Sequence, residues 1–432
     1  MQEQAAAKVR NALAGITSER LEQIIQSINS YGRTPSGGVW RPGYSDLEAQ
    51  ARDRIIEKIQ SLGLTVERDP ALNVFAWMGD RTKGSGVLTG SHLDSVPNGG
   101  FYDGVLGVAC GLEAVRVLRE LDIAFEFPVG LTVWAAEESS CFGVGCIGSR
   151  LTTGQLTSAD LLRIRDSDGV TADEAIRKLG GVPERSERKG ELAHLIQAFI
   201  EVHIDQGAQL ADARLPIGVV TLIISPAKIR VTFHGEAGHV GATPPSRRRD
   251  ALRGAGAFIQ TLYQIADEFP EDRVRLTAGA IHVKPNVVNV VPASAEVRMD
   301  LRCALDKERD FLLEKIAEGA RQSAHRHGLK KKVEILTKGK AFPCPEWLVE
   351  LIEASAAECE VPICRMVSFA GHDARVVGDV APAGMILVAN PAGVSHCPAE
   401  AADLDAAAAA SRVLARSMLQ LAKAGTRIGH GR

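Results

Sequence analysis

The chain has 432 residues, of which 45% are hydrophobic and 24% are charged, and its formal net charge is −3. A chain of this length exceeds what one hydrophobic core usually supports, so two domains are expected in an ordinary globular protein. The small negative charge gives no reason to expect nucleic acid or an anionic membrane as a partner, and no apolar stretch is long enough to span a bilayer.

The first half of the chain alternates helix and strand signals, which predicts an α/β fold with a mixed sheet flanked by helices. Residues 1–15 lack the uninterrupted apolar core of a secretory signal. Ser45-Asp46-Leu47-Glu48 is a capping box, and the helix that it starts is expected to stop at Gly63. Helical periodicity also covers Val105–Leu121. Strands are predicted at Leu64–Arg68, Asn73–Met78, Gly86–Gly90, Val129–Ala135 and Ala198–Val202.

Three of these apolar strands end where polar residues begin. Gly86–Gly90 leads to His92, Val129–Ala135 leads to Glu137 and Glu138, and Ala198–Val202 leads to His203. In open α/β sheets, ligand sites gather just beyond the carboxyl ends of the strands. The organisation of this region therefore predicts an active site.

The middle of the chain has the strand and helix order βαββαβ, which is typical of a ferredoxin-like sandwich. The predicted elements are Lys228–Gly235, Asp250–Asp267, Val274–Val283, Ala295–Arg302, Lys307–His327 and Lys332–Leu336. We therefore predict an inserted domain over residues 215–335, within a catalytic domain of residues 1–214 and 336–432. The returning part of the catalytic domain has a helix after Pro345, a strand at Met385–Ala389 and an Ala-rich helix from Ala401.

Eight cysteines are scattered through the chain without the spacing of a zinc finger. In a chain of this size they are most simply reduced thiols, so we predict a cytoplasmic protein.

Five residues near strand ends have the chemical types of metal ligands. Asp103 lies in a glycine-rich loop, where backbone conformations closed to other residues bring it back toward His92, and its carboxylate can bridge two ions. Asp94 is placed to orient the His92 ring. Taken alone, each residue is more often a structural histidine or a solvated acid. As a set they predict a two-metal site, with the ligands His92, Asp103, Glu138, His203 and His396.

The adjacent acids Glu137 and Glu138 would repel each other unless cations or protons compensate. If Glu138 is a ligand, Glu137 can act as the general base on a metal-bound water and then protonate the leaving nitrogen. The alternative is a solvated pair at the start of a helix. Mixed nitrogen and oxygen ligands predict two divalent ions of zinc or manganese, with cobalt or nickel as alternatives.

Seven motifs occur in a fixed order between Gly86 and Glu400. They are GSHLDSVPNGGFYDGVLGV from Gly90, EES from Glu137, EVHIDQG from Glu201, GHVGATPPSRRRDAL from Gly238, NVVNVVPASAEVRMDLR from Asn286, GHDA from Gly371 and SHCPAE from Ser395. With these motifs the chain resembles the hydantoinase/carbamoylase branch of the M20 metallopeptidase-like amidohydrolases. This branch comprises N-carbamoyl-L-amino acid hydrolases, β-ureidopropionases and allantoate amidohydrolases.

The resemblance implies a role for each matching residue. His92 and His203 would hold one ion, Glu138 and His396 the other, and Asp103 would bridge them, with Glu137 as base and Asp94 orienting. The inserted domain would form a homodimer and close over a small N-substituted amino acid. His239 would enter the active site of the partner subunit and stabilise the oxyanion. Asn289 and Arg302 would hold the substrate carboxylate, and Gln206, Gly371 and His372 would contact the scissile end.

One departure from the family pattern bears on the substrate. Many relatives read Gly-Ser-Arg-Phe after the paired glutamates, whereas this chain has Ser139-Ser140-Cys141-Phe142. The loss of arginine would make room for a different acyl group. A nucleophilic Cys141 is less favoured than a small buried thiol, which is also the interpretation for Cys397.

Three functions remain. The first is hydrolysis of an N-carbamoyl-L-amino acid or related N-substituted amino acid by metal-bound hydroxide. The second keeps this mechanism but takes an N-acyl-amino acid or a dipeptide-like amide. The third is a catalytically silent metal- or ligand-binding homologue, although such a protein would be expected to lose the base or a ligand first.

Overall fold

The computed structural model describes residues 2–80, 85–186, 192 and 195–423. Its described residues fall into two compact units, the first with residues 2–221, 344–366 and 372–423 and the second with residues 222–343 and 367–371. The second unit therefore begins and ends later than the predicted domain of residues 215–335, and it takes in a short segment of the returning chain. The later start reflects a strand at Ile217–Ile223, which was not predicted and whose first residues pair with the strand Ala383–Val388.

The strands and helices have the following bounds. The strands are β1 Thr65–Arg68, β2 Val74–Met78, β3 Gly86–His92, β4 Val129–Trp134, β5 Ile196–Ile204, β6 Ile217–Ile223, β7 Ser225–His234, β8 Gly238–His239, β9 Val274–Lys284, β10 Val290–Val291, β11 Ser294–Cys303, β12 Lys330–Lys338, β13 Phe342–Pro343, β14 Ile363–Ser368 and β15 Ala383–Val388. The helices are α1 Gln2–Ala14, α2 Ser18–Ile28, α3 Asp46–Ser61, α4 Val105–Glu120, α5 Ile147–Thr152, α6 Ser158–Leu161, α7 Ala172–Lys178, α8 Gln209–Ala213, α9 Ala251–Ala266, α10 Asp306–Arg326, α11 Glu346–Glu358, α12 Asp373–Val377 and α13 Leu404–Leu421.

The first unit contains a mixed sheet in which the strand order runs β1-β2-β4-β3-β5-β15-β6. The four central strands β4, β3, β5 and β15 are parallel, and the outer pairings are antiparallel. This confirms the predicted mixed α/β architecture. Because the central strands point the same way, their carboxyl ends meet at one edge of the sheet, where ligand sites of such folds gather.

Helix α4 forms the centre of the first unit's core. All of its residues from Val105 to Leu118 are buried, because the helix packs on β3 and β5 with one side and on α13 and α2 with the other. A helix that is covered all round needs apolar or small residues on every face. Apart from Glu113 and Arg116, which pair with each other, α4 meets this need with valine, leucine, alanine, glycine and cysteine. The burial fixes the start of α4, and hence the loop before it, against the sheet.

The second unit is a four-stranded antiparallel sheet in the order β12-β7-β11-β9. Its elements follow one another as β7, α9, β9, β11, α10 and β12, which is the order βαββαβ. Alternate residues of β7 and β11 pack against α9 and α10 around Phe233, Phe258, Val297 and Leu312. Period-two alternation on the strands and 3.6-residue periodicity on the helices create this single buried layer.

All eight cysteines are free thiols, as the sequence predicts. Within the described ranges, no helix combines the length and the hydrophobicity needed to cross a membrane.

Candidate metal centre

The loop between β3 and α4 brings Asp103 to His92. His92 is the last residue of β3 rather than a loop residue, and its Nε2 lies 3.4 Å from Asp103 Oδ1. Gly104 follows with φ +68°, and a Cβ at this position would lie 2.5 Å from the His92 ring. Only glycine therefore allows the loop to come this close, in agreement with the role predicted for the glycine-rich segment.

His203 approaches the same carboxylate oxygen from the neighbouring strand. It lies within β5, not in a loop after it as predicted, and its Nε2 is 3.0 Å from Asp103 Oδ1. Its Nδ1 is 3.1 Å from Ile204 O. A proton on Nδ1 that is donated to this carbonyl leaves Nε2 with a free lone pair. His92, His203 and one oxygen of Asp103 thus form the first group of donor atoms.

The second oxygen of Asp103 faces a different pair of side chains. His396 Nε2 lies 3.1 Å from Asp103 Oδ2 and 3.4 Å from Glu138 Oε1. In each group, His92–Asp103–His203 and Asp103–Glu138–His396, the donor atoms lie within 4.8 Å of one another. Asp103 belongs to both groups through different oxygens, which is the arrangement expected of a bridging carboxylate between two cations.

Glu137 lies beside the first group. Its Oε2 is 3.9 Å from His92 Nε2, and its Oε1 accepts a hydrogen bond from the Cys146 thiol at 3.1 Å. Burial raises the pKa of Glu137 well above its usual value, and repulsion from Glu138 adds to the shift. Burial and the Asp103 charge likewise raise the pKa of Glu138 to about 7. Repulsion of this kind among buried acids is relieved by a bound cation.

Asp94 fixes the turn that carries the two glutamates. Its Oδ1 accepts the Glu137 N–H at 3.0 Å, and its Oδ2 accepts the Glu138 N–H at 2.9 Å. The Asp94 carboxylate is also 3.4 Å from His92 Nδ1, but the carbonyl oxygen of the same residue is nearer, at 3.1 Å. Asp94 thus contacts His92 as predicted, while its carboxylate mainly holds the Glu137–Glu138 backbone.

Glu48 also holds this turn, which the sequence interpretation missed. Ser45 caps α3 as predicted, but Glu48 does not return its side chain to the Ser45 amide. Its carboxylate instead accepts the N–H groups of Tyr44 and Ala136 and pairs with Arg52. The capping box is therefore only half formed, because the glutamate of the motif is buried against the strand end that precedes Glu137.

Further buried polar residues lie behind the ligand groups. Glu201 accepts the Ser91 hydroxyl at 2.7 Å and the Ala374 N–H at 2.8 Å. Asp373 accepts the Ser149 hydroxyl at 2.5 Å, and its other oxygen has no hydrogen-bond partner among the described residues. Burial and Glu201 raise the pKa of Asp373 to about 8. The sequence contained one signal for this group, since Glu201 is an acid within an otherwise apolar predicted strand.

Two residues predicted to contact the scissile end of the substrate lie at this centre. Gln206 donates its amide N–H to Asp103 Oδ2 at 2.7 Å, and the same nitrogen is 3.3 Å from His396 Nε2. His372 is buried, with its ring 4.6 Å from that of His203 in an edge-on arrangement. Their contacts with substrate remain predictions.

The second unit contains the other predicted substrate residues. His239 pairs with Val290 across the short β8–β10 ribbon, and the Asn289 carbonyl accepts the Val240 N–H at 3.1 Å, so His239 and Asn289 lie on neighbouring segments. Both side chains are exposed. Arg302, near the end of β11, contacts Asp300 Oδ1 at 3.1 Å and donates to the Phe369 carbonyl at 2.6 Å. Gly371 ends the short second segment of this unit. Their predicted roles are not tested by these contacts.

Cys141 is half-buried and packs against an apolar cluster that includes Tyr44 and Phe142. Burial raises the pKa of its thiol to about 11, so the thiolate is scarce at neutral pH. Since the thiolate is the nucleophilic form, Cys141 fits a packing role better than a catalytic one. Cys397 is also half-buried.

Comparison with known proteins gives consistent matches. The model of the peptidase family M20/M25/M40 matches residues 88–420. An N-carbamoyl-L-amino acid amidohydrolase of Geobacillus stearothermophilus is 34% identical over 410 residues, which cover 94% of this chain and 99% of the relative. An allantoate amidohydrolase of Bacillus subtilis is 32% identical, over 87% of this chain and 91% of its own length. The crystal structure of a hydantoinase/carbamoylase family amidase from Burkholderia multivorans superposes with a TM-score of 0.84 at 32% identity, covering 94% of this chain and 99% of that one.

Proposed function

The chain belongs to the M20/M25/M40 peptidase family, whose members depend on metal ions, and it is a hydrolase of linear amide C–N bonds. From this premise we propose that it cleaves the ureido C–N bond of an N-carbamoyl-L-amino acid or a closely related ureido acid. Relatives over nearly the full length are named for N-carbamoyl amino acids and for allantoate, which share this bond.

The observation that carries the proposal is the division of Asp103 between two donor groups. One oxygen faces His92 and His203, and the other faces His396 and Glu138. Three imidazole nitrogens with carboxylate oxygens fit zinc or manganese better than a metal selected by thiolates. Asp373 has one oxygen without a hydrogen-bond partner among the described residues, and the pKa values of the buried acids Glu138 and Asp373 are raised. Both observations support bound cations, because positive charge would stabilise these carboxylates.

Two divalent ions bound at these groups would polarise the substrate carbonyl and lower the pKa of a water molecule. Glu137 first accepts and later donates the proton. The water oxygen bonds to the carbonyl carbon while its proton passes to the Glu137 carboxylate, and the same proton goes to the nitrogen as the C–N bond breaks. The Cys146 thiol donates a hydrogen bond to Glu137 Oε1, so Oε2 is the oxygen that faces the first donor group.

The substrate-side roles follow from the resemblance. We propose that Arg302 and Asn289 bind the substrate carboxylate and that His239, acting in a homodimer, stabilises the oxyanion in the partner subunit. Arg302 has one guanidinium edge on Asp300, so substrate binding would add to or replace that ion pair.

A second candidate keeps the mechanism but takes an N-acyl-amino acid. Cys141 supports it, because a small thiol stands beside Phe142 where many relatives have arginine. The third interpretation, a silent homologue, is disfavoured because Glu137 and both donor groups are intact.

A substrate panel separates these candidates. Metal-reconstituted enzyme is assayed with the N-carbamoyl, N-acetyl, N-formyl and N-succinyl forms of the same L-amino acids. We expect ammonia release from the carbamoyl set. Turnover of the acyl set alone would transfer the assignment to the second candidate, and no turnover of either set with two ions bound would favour the silent homologue.

A further inference from the structure

We propose that Glu400 is the positioning residue that holds His396 and Asp103 together, so that the second ion has a place to bind. This inference rests on the proposed metal centre. Glu400 is the last residue of the SHCPAE motif, and only 5% of its surface is exposed. No donor atom of Glu400 belongs to either ligand group.

The carboxylate of Glu400 joins two loops that are far apart in sequence. Its Oε1 accepts the N–H groups of Tyr102 at 2.9 Å and Asp103 at 3.1 Å. Its Oε2 accepts the Ser395 hydroxyl at 2.6 Å and the His396 N–H at 3.4 Å. The buried Glu400 carboxylate thus joins the backbone of Asp103 to the backbone of His396. Hydrogen bonds to an ionised acceptor are about twice as strong as neutral ones.

The close fit of Glu400 depends on a glycine. A Cβ at Gly100 would lie 2.1 Å from Glu400 Oε1 and 2.2 Å from its Cδ. The second glycine of the Asn98-Gly99-Gly100 run therefore makes room for this carboxylate, while Gly104 makes room for the His92 ring.

The two donor groups differ in how they are supported. His92 and His203 lie on β3 and β5, which pair with each other as parallel strands. The Nδ1 atom of each ring faces a backbone carbonyl. His396 lies outside the helices and strands, with φ +61° and a side chain that is 47% exposed. Loss of the contacts that Glu400 Oε2 makes should therefore weaken the His396 side and spare the side formed by the two strand histidines.

Glu400→Gln is the informative variant because it keeps the shape and removes one acceptor. The amide oxygen can still accept from Tyr102 and Asp103, but the NH2 group then faces the His396 N–H, donor against donor. Outer partners of metal ligands typically contribute 10- to 100-fold to metal affinity. We expect the second ion to bind about 10- to 100-fold more weakly and the first to bind as in the wild type.

The experiment titrates metal-free full-length protein with Mn²⁺ and follows stoichiometry by calorimetry and ion coupling by electron paramagnetic resonance. The wild type should bind two ions with a coupled spectrum, and Glu400→Gln should show one tight, uncoupled ion at the same Mn²⁺ concentration. The matched control is Glu113→Gln, since Glu113 is equally buried but pairs with Arg20 and Arg116. That control should bind both ions normally.

The outcomes are distinguishable. A wild type that binds no ion contradicts the proposed function itself. Equal affinity for both ions in the wild type and in Glu400→Gln overturns the inference, as does an equal loss at both sites. If Glu400→Gln does not fold, Ser395→Ala decides. It removes the 2.6 Å partner of Glu400 Oε2 together with a 3.3 Å contact to Asp103 Oδ2, and it should weaken the second ion alone, whereas unchanged binding refutes the role.

Discussion

Asp94→Asn tests how the turn of the proposed general base is held. The Asp94 carboxylate is fully buried and accepts two backbone N–H groups, those of Glu137 and Glu138, one on each oxygen. Asparagine has nearly the same shape but only one acceptor oxygen. Whichever way its amide is turned, an NH2 group faces one of the two backbone N–H groups.

The magnitude follows from these contacts. Leaving a buried donor unsatisfied costs about 1–3 kcal/mol, and a hydrogen bond to a charged group contributes about 1.5–3 kcal/mol. If the displaced base raises the activation free energy by about 2–3 kcal/mol, kcat/KM falls by about 30- to 150-fold. The loss should appear in kcat more than in KM, because the turn positions the proton acceptor and not the substrate.

The assay compares kcat, KM, metal content and thermal unfolding of Asp94→Asn with those of Asp69→Asn. Asp69 is also buried and accepts a backbone N–H, that of Asn73, together with the Thr152 hydroxyl. The control should lose stability without a comparable loss of kcat. An Asp94→Asn enzyme with kcat within roughly threefold of the wild type would refute the argument.

Three further predictions concern pH, substrate binding and Cys141. In calorimetry, the Tm of the metal-free protein should fall from pH 6 to 9. The pKa values of Glu138, Asp373 and His396 are raised to about 7, 8 and 9 in the folded state. The folded state therefore binds more protons than the unfolded state, and it loses stability as the pH rises through these values. Bound ions should flatten this slope; a rising Tm in the metal-free protein would contradict it. Arg302→Ala should raise KM for carboxylate substrates about tenfold or more and leave KM for the corresponding carboxamides unchanged; equal KM for the carboxylates would exclude the clamp. Cys141→Ser should keep kcat near that of the wild type, whereas loss of turnover in a folded variant would support Cys141 as the nucleophile.

The close approach of the proposed ligands was predictable from the sequence because the signals are local. The ends of three predicted apolar strands indicated where His92, Glu138 and His203 would meet. The family resemblance stated from the seven ordered motifs is confirmed by the family match. The mixed sheet is confirmed as well, with strand bounds close to those predicted.

The supporting residues were not predictable in the same way. Glu400 acts on Tyr102 and Asp103 across nearly 300 positions, and Glu48 acts on Ala136 across 88. Such side chain-to-backbone bonds have no sequence period, so no local pattern marks them. The missed strand Ile217–Ile223 has a related cause, because its apolar run gives no sign that it pairs with Ala383–Val388.

Glu137→Gln tests the proposed mechanism most directly when it is assayed with the preferred substrate and its bound metal is counted in the same sample. Glu137 lies 3.9 Å from His92 Nε2 and belongs to neither donor group. We expect two ions per chain, an unchanged KM and a kcat reduced by about 10²-fold or more, because a general base is lost. Turnover comparable to the wild type with both ions bound would contradict the proposed mechanism.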